Sequence, residues 1–214
     1  YISDFNDLGI PACRILVPGF SEIYPIDDLI WDNNNLALEF REKILTIHKL
    51  ASEKLHQLLT ELEDQELDHF RPISELIGIA FDENSQWGQL TVGELKAHIY
   101  LAINDHESAK FLVDELVSFN DFTADKIKHY RLLQVLLDIS IQEELEFGNY
   151  EKNLSRMYGK ELYQLCISII NQEVTFYGLH PTDMNIKDLQ KHQKLLESYQ
   201  KLCVRRATQS HDET

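Results

Sequence analysis

Two glycines form the nearest approach to a nucleotide-binding motif in this chain. The segment runs Gly88-Gln89-Leu90-Thr91-Val92-Gly93-Glu94-Leu95, so Gly88 and Gly93 have the spacing of the P-loop glycines. A P-loop needs a lysine after the second glycine, because the ammonium group must reach the phosphates, but Glu94 stands there. The sequence therefore predicts no phosphate site at this segment.

The histidines do not form a metal-binding pattern. His106-Glu107 is followed by Lys110 at the position where a zinc helix requires its second histidine. His98 and His129 lie beside apolar positions, and we interpret both as half-buried histidines with protein partners. The sequence predicts no catalytic, cofactor-binding or metal-binding residue in this chain.

The three cysteines give no disulfide or zinc pattern. Cys13, Cys166 and Cys203 are far apart, and no C-x-x-C is present. Cys166 lies between Leu165 and Ile167, which is typical of a thiol in a core. A reducing compartment, the cytoplasm, is expected.

One polar stripe interrupts the most apolar predicted helix, residues 124–147. Arg131, Gln134 and Asp138 share a helix face by their spacing. They are predicted to form either a buried network or a partner-facing strip. The alternative is a solvated edge closed by an ion pair within the helix.

Four aromatic residues stand beside turn or loop residues and are candidates for an interaction surface. Partner interfaces are enriched in such side chains. The alternative is that they fill the ends of helix pairs. These residues are Trp31, Trp87, Phe176 and Tyr177.

Apolar periodicity divides the chain into a short β segment and a long helical region. Residues 10–17 form an apolar run that stops at Pro18-Gly19, which predicts a strand, and residues 1–26 are expected to hold strand and irregular structure. From about residue 35 the period lies between three and four, which predicts helices. The predicted helices are 36–48, 50–62, a short one after Pro72, 92–103, a second stripe from Ala109 to Phe119, 124–147, short helices punctuated by Gly148-Asn149 and Gly159, and 186–204.

The predicted fold is mainly α, built from stacked antiparallel helix pairs. Residues 92–119 resemble a tetratricopeptide repeat, because Ala97, Tyr100 and Ala109 fall at its small, aromatic and small positions. The domains expected are 1–26, left from a preceding domain, and a helical domain at 27–214. The chain begins at Tyr1 inside a predicted strand, so a fragment is expected.

The formal net charge of −16 disfavours binding to nucleic acid or to an anionic membrane surface. One local exception is the C-terminal stretch that carries Lys187, Lys191, Lys194, Lys201, Arg205 and Arg206, which we interpret as a solvated helix face. The sequence contains no run of 18 apolar residues, so no membrane span is predicted.

Two sets of residues carry a resemblance to the YcaO family. In the first 25 residues they are Asp4, Leu8-Gly9, Cys13-Arg14-Ile15-Leu16 and Val17-Pro18-Gly19. In the helical remainder they are Trp87, Gly93-Glu94-Leu95-Lys96-Ala97, Tyr130-Arg131, Leu133-Gln134, Arg156-Met157-Tyr158-Gly159 and Phe176-Tyr177-Gly178-Leu179. In this order and spacing the chain resembles the end of the YcaO core followed by a YcaO C-terminal region.

The resemblance implies an accessory factor for a radical-SAM methylthiotransferase that modifies a small-subunit ribosomal protein. YcaO proteins use ATP and magnesium, whose ligands lie ahead of the segment present here, so none is carried onto this chain. The family's azoline-forming members end in a proline-rich tail, whereas this chain ends Gln209-Ser210-His211-Asp212-Glu213-Thr214. This difference argues against cyclodehydratase activity in the parent protein.

The leading hypothesis is a non-catalytic helical domain for oligomerisation or partner docking, attached to an ATP-binding core. Its expected partners are the YcaO core, a second copy, the methylthiotransferase or its ribosomal-protein substrate. The alternative is an independent helical-repeat adaptor whose first 25 residues resemble YcaO by chance. An enzyme in its own right is the third hypothesis, disfavoured because the sequence offers no acid–base or metal constellation.

Overall fold

A computed structural model describes residues 2–4, 13–15, 40–82, 85–118, 122–142, 144–179 and 189–212. Within these ranges the chain is mainly α-helical, as predicted. The α-helices are α1 (40–45), α2 (Ser52–Asp64), α3 (Ile73–Leu76), α4 (Gln86–Gln89), α5 (Val92–Ala102), α6 (His106–Ser118), α7 (Ala124–Ile141), α8 (Phe147–Tyr158), α9 (Lys160–Ile170) and α10 (Gln190–Asp212). A 3-10 helix follows α1 at Ile47–Lys49.

Two short strands precede the helices. Strand β1 (Ile2–Asp4) pairs in antiparallel fashion with β2 (Cys13–Ile15), and Ile2 stands opposite Ile15. Strand β2 lies inside the segment 10–17 for which the apolar run predicts a strand. The predicted domain boundary after residue 26 lies outside the described residues.

The chain divides into two compact units. The first comprises Tyr1–Arg41, Ser74–Gly88 and Thr182–Thr214, and the second comprises Glu42–Ile73 and Gln89–Pro181. In the first unit, Nδ1 of His192 on α10 accepts a hydrogen bond from the backbone N–H of Ala80 at 3.2 Å. In the part of the chain that the structure describes, no helix is both long and apolar enough to cross a bilayer.

Helix α7 occupies the centre of the core of the second unit. It packs against α6, α8 and α9, and its buried side chains point to more than one side of the helix. A helix that is apolar around most of its circumference must be covered on several sides, so this central position agrees with the apolar character of the predicted helix 124–147. The buried residues of α7 are Tyr130, Leu132, Leu133, Leu136, Leu137 and Ile139.

Helix α7 is shorter than predicted. The apolar pattern predicts a helix to residue 147, but α7 ends at Ile141 because Gln142 has an extended backbone with φ −91° and ψ 110°. The pattern continues beyond this point because Leu145 and Phe147 also pack against the core of the second unit. The apolar periodicity therefore indicated correctly that these residues pack against the core, but it misplaced the end of the helix.

Candidate functional site: a buried carboxylate between two helices

Helix α5 begins with a capping box. The hydroxyl oxygen of Thr91 accepts a hydrogen bond from the backbone N–H of Glu94 at 3.3 Å. In return, Oε2 of Glu94 accepts a hydrogen bond from the backbone N–H of Thr91 at 2.9 Å. The reciprocal pair satisfies two N–H groups that the first turn of a helix leaves free, so it fixes both the start of α5 and the position of the Glu94 side chain.

The Glu94 carboxylate is buried and is held from the other side by α7. Its residue is 1% exposed, and Nζ of Lys126 lies 2.7 Å from Oε1 and 2.9 Å from Oε2. The phenolic O–H of Tyr130 donates to Oε1 at 2.7 Å. A buried carboxylate needs a cation and hydrogen-bond donors to offset the loss of water, and Glu94 has both.

Lys126 also contacts two groups other than the Glu94 carboxylate. Its ammonium group donates to the backbone carbonyl of Gln89 at 2.9 Å and lies 4.4 Å from the centroid of the Phe122 ring. The same ammonium group therefore connects α7 to the last residue of α4 and to the first turn of α5. We call Thr91, Glu94, Lys126 and Tyr130 the carboxylate cluster.

The cluster shifts the acid–base behaviour of its tyrosine. Burial, and then the charge and the hydrogen bond of Glu94, raise the pKa of Tyr130 well above its usual range. The phenol therefore keeps its proton at neutral pH and acts as a hydrogen-bond donor. Both carboxylate oxygens are engaged by groups of the chain itself.

Two histidines and a cysteine lie next to the cluster. Burial lowers the pKa of His98 to about 4, with a further contribution from the charge of Lys126. Burial and the neighbouring His98 lower the pKa of His129 to about 4, against an opposing effect of Glu94. Both imidazoles are neutral at pH 7, which agrees with the interpretation as half-buried histidines.

Cys166 is a core thiol, as predicted. It is 0% exposed, and its Sγ lies 3.9 Å from Nδ1 of His129. Burial raises the pKa of the thiol to about 12, so it is protonated at neutral pH and a poor nucleophile. Among the described residues, no three His, Cys, Asp or Glu side chains converge in the way that metal ligands would.

Gly93 has a packing role in place of a phosphate-binding role. A Cβ atom on Gly93 would lie 3.0 Å from both the Cβ and the backbone oxygen of His69. The Gly93 N–H donates to that oxygen at 2.8 Å, so the two backbones are in direct contact. A side chain at position 93 would disturb the capped start of α5.

The predicted polar stripe on α7 pairs with α6 and not within its own helix. The Gln134 amide donates to Oδ1 of Asp114 at 2.7 Å, and Lys110 Nζ lies 3.3 Å from Oδ1 of Asp138 and 2.7 Å from Oδ2 of Asp114. The alternative of an ion pair within the helix is therefore wrong. Helical spacing alone could not show that the neighbouring helix supplies the partners.

Arg131 is the exposed member of the stripe. Gln134 and Asp138 are partly buried where α6 and α7 pack. The three residues therefore differ in what they offer to a partner, and Arg131 offers the most. Its part in an interaction surface stays a prediction.

The aromatic candidates separate into buried and exposed residues. Trp87 is 4% exposed and stacks on Phe81 with ring centroids 6.1 Å apart, and Phe176 is 6% exposed. These two side chains are therefore buried, and their part in an interaction surface stays a prediction. Tyr177 is 41% exposed and stacks on the His129 ring at a centroid distance of 6.3 Å, whereas Trp31 lies outside the described residues.

Left-handed backbone conformations accompany the difference in exposure between Phe176 and Tyr177. Phe176 has φ 51° and Gly178 has φ 79°. The left-handed conformation is unfavourable for a bulky residue and depends on support from surrounding contacts. Here the buried Phe176 ring anchors the turn and Tyr177 faces outward.

The carboxylate cluster was not predicted from the sequence. Glu94 bears there on the absent P-loop and on the family resemblance, and Lys126 was not a candidate residue. The T-x-x-E spacing of Thr91 and Glu94 is a capping-box signature and predicts the first half of the cluster. No local pattern predicts the second half, because Lys126 is 32 residues away in sequence and meets Glu94 only through packing.

Comparison with known families places the cluster in a defined domain. The model of the YcaO cyclodehydratase C-terminal domain matches residues 37–208 of this chain. The chain belongs to this family. The whole carboxylate cluster and the Phe176–Gly178 turn lie inside the matched part of the YcaO C-terminal domain.

Two curated relatives match nearly the whole chain. One is the Escherichia coli (strain K12) protein named ribosomal protein S12 methylthiotransferase accessory factor YcaO, which is 36% identical over 206 residues, 94% of this chain and 35% of the relative. The other is an uncharacterized protein of Haemophilus influenzae, 35% identical over 207 residues, again 94% of this chain and 35% of the relative. The chain thus spans about a third of the length of the curated relatives it matches.

Proposed function

We propose that this chain is a non-catalytic domain for oligomerisation or partner docking at the C-terminal end of a YcaO protein. The parent protein would be an ATP-using accessory factor for methylthiolation of a small-subunit ribosomal protein. The observation that carries this proposal is the 36% identity over 94% of the chain to a protein named ribosomal protein S12 methylthiotransferase accessory factor. Since the chain covers 35% of that relative, ATP and magnesium belong to the remaining part of the parent in this proposal.

The geometry of the carboxylate cluster supports a structural role for Glu94, the residue most similar to a catalytic base. Glu94 accepts hydrogen bonds from Thr91 and Tyr130 and pairs with Lys126 at 2.7 Å. A general base must have a lone pair directed at its substrate, and a residue whose acceptor sites bind its own chain is better suited to holding helices together. Lys110 and Asp114 of α6 likewise hold helices together, because they pair with Asp138 and Gln134 of α7.

The exposed residues supply the docking part of the proposal. Tyr177 is held by its stack on His129, which lowers the entropy that the ring loses on binding. Arg131, on the same helix as His129, is exposed. Tyrosine and arginine are enriched at the energetic centres of interfaces, so these two residues are the best single candidates for contact with a partner.

The pairing of the helices and the origin of the two strands are part of the same proposal. Helices α5 and α6, and helices α8 and α9, pack as sequence neighbours, which supports stacked antiparallel pairs of the tetratricopeptide type. Strands β1 and β2 would be the end of the preceding YcaO core. The domain would act in the cytoplasm with the methylthiotransferase or its ribosomal-protein substrate as partner.

Two surface variants of the full-length parent test the proposal. Tyr177→Ala and Arg131→Ala should lower methylthiolation of the ribosomal protein and co-purification with the methylthiotransferase, and leave ATP hydrolysis within about twofold of wild type. Glu161→Gln, an exposed change in the first turn of α9, is the matched control and should alter neither. Loss of ATP hydrolysis with intact partner association would overturn the proposal.

A further inference from the structure

The second unit contains a surface cleft that the carboxylate cluster does not use. The cleft has a volume of about 430 Å³, and its lining residues come from α2, from the turn between α5 and α6, from the first turn of α6 and from the end of α7. Ile103 and Ile141 give it two apolar side chains, and its other lining residues are polar or charged. The cleft can therefore hold a group that has both an apolar and a polar part.

The C-terminal ends of two helices lie at this cleft. Ile103 follows the last residue of α5, and Ile141 is the last residue of α7. A helix C-terminus carries a partial negative charge, which a Lys, Arg or His in the last turn often offsets. Neither α5 nor α7 has a basic residue in its last turn. The two helix ends therefore favour a cation in the cleft.

The polar side chains of the cleft offer acceptors. Glu107 is exposed, and its carboxylate has neither an ion pair nor a hydrogen bond among the described residues. Nδ1–H of His56 donates to the Ser52 carbonyl at 2.8 Å, so Nε2 of the neutral ring is left as an acceptor. Among the described residues that line the cleft, none is Lys or Arg. The cleft thus lacks a cation of its own.

One lining residue has an unsatisfied polar atom. Nε2 of His106 is buried and has no hydrogen-bond partner among the described residues. A buried polar atom without a partner costs free energy and is uncommon in folded proteins. A polar group that enters the cleft beside His106 would reduce this cost.

We propose that this cleft binds an arginine side chain from a basic segment of the ribosomal-protein substrate. The inference rests on the proposed docking function and names the part of the partner that the domain holds. A guanidinium group is always charged and donates through five N–H groups, so it complements Glu107, Nε2 of His56 and the two helix ends. The methylene groups of the same side chain can pack on Ile103 and Ile141.

Charge favours this occupant over the other expected partners. A ribosomal protein contacts RNA phosphates, for which it needs clustered Lys and Arg residues. This chain has a formal net charge of −16, so its field attracts such a segment and repels the RNA itself.

A fluorescein-labelled peptide of alternating arginine and glycine tests the cleft in the full-length parent by fluorescence anisotropy. Glu107→Lys places a cation in the cleft and should raise the dissociation constant of the peptide about tenfold, and Glu107→Gln, which only removes the charge, about threefold. Glu161→Lys is the matched control, because Glu161 is exposed and is the second residue of α9 as Glu107 is of α6. It should stay within about twofold of wild type, and since both lysine variants have the same net charge, the difference between them locates the peptide at the cleft.

The ligand has matched controls as well. Citrulline has the shape of arginine without its charge, so a peptide with citrulline at every arginine should not bind. A peptide with lysine at these positions should bind about threefold more weakly, because the ammonium group lacks the planar fork of the guanidinium. The purified ribosomal-protein substrate should displace the arginine peptide from the wild-type parent.

Three results would overturn the inference. They are equal binding of the arginine peptide by the wild type and Glu107→Lys, binding of the citrulline or lysine peptide as tight as that of the arginine peptide, and failure of the ribosomal protein to compete. The peptide assays require neither ATP nor methylthiolation. Unchanged peptide binding by Glu107→Lys, in a parent that loses methylthiolation with Tyr177→Ala, would end this inference and leave the docking function standing.

Discussion

Lys126 Nζ and Glu94 Oε1 lie 2.7 Å apart, and each residue occupies the third position of its helix, α7 and α5 respectively. Thr123 caps α7 by accepting from the Lys126 N–H, as Thr91 caps α5 through Glu94. A lysine is unfavourable at a helix N-terminus, whereas a glutamate is favourable there. The contact with Glu94 offsets the charge of Lys126 and joins two capped helix starts.

Removing the charge of Glu94 should therefore destabilise the chain strongly. Glu94→Gln leaves Lys126 without its anion and weakens the capping box, and we expect a loss of about 2 to 4 kcal/mol in the free energy of unfolding. Glu107→Gln, an exposed change in the first turn of α6, should stay within about 0.5 kcal/mol. Urea denaturation measures both, and equal small losses would contradict the structural role of the cluster.

Tyr130 should act through the same carboxylate. Tyr130→Phe removes the 2.7 Å hydrogen bond and should cost about 1.5 kcal/mol. In a Glu94→Gln background the loss should be smaller, with a coupling energy of about 1 kcal/mol in a double-mutant cycle. Additive losses would mean that Tyr130 contributes through packing alone.

Two glycine substitutions should have opposite signs. Gly93→Ala places a Cβ 3.0 Å from His69 backbone and side-chain atoms and should destabilise the chain by about 1 to 3 kcal/mol. Gly148→Ala, inside α8, meets nothing within 4 Å and should stabilise it by up to about 1 kcal/mol, because alanine loses less backbone entropy in a helix. Thermal unfolding followed by circular dichroism distinguishes the two, and a stabilising Gly93→Ala would refute the close approach.

Acid should weaken the fold through the two histidines. The pKa values of His98 and His129 are about 4 in the folded chain, so the unfolded chain binds more protons below its usual pKa of 6.5. The stability due to each neutral imidazole is complete above pH 6.5 and is lost as the pH falls toward 4, on the order of 2 kcal/mol per histidine between pH 7 and 5.

Urea denaturation across that range measures this loss, and substitutions at the two histidines supply the control. His98→Gln with His129→Gln should flatten the dependence. His56→Gln, at an exposed residue of α2, should leave it unchanged. A wild-type stability that is the same at pH 5 and pH 7 would contradict the neutral, buried state of the imidazoles.

The sequence predicts local features well in this protein. Helical periodicity located α5 and the central α7, since both follow from short-range spacing of apolar residues. The end of α7 was misplaced because Leu145 and Phe147 are partly buried against the core without being part of that helix. The sequence left two alternatives open for Trp87, because proximity to a turn does not define exposure.

The candidate site was less predictable than the fold. Thr91 and Glu94 are linked by a local motif, but Glu94 meets Lys126 and Tyr130 only after α5 and α7 pack together. In the same way, Gln134 finds Asp114 on another helix. A single sequence states which residues are polar and on which helix face they lie, and packing decides their partners.

In the proposed function, this domain supplies contacts while the chemistry takes place elsewhere in the parent protein. Isothermal titration of the chain with ATP and magnesium, beside the full-length parent under the same conditions, tests it most directly. We predict saturable binding to the parent and none to the chain, because Glu94 stands where a P-loop lysine would be and the net charge of −16 repels the triphosphate. Stoichiometric binding to the chain at about micromolar concentrations would contradict the account and place the nucleotide site within these residues.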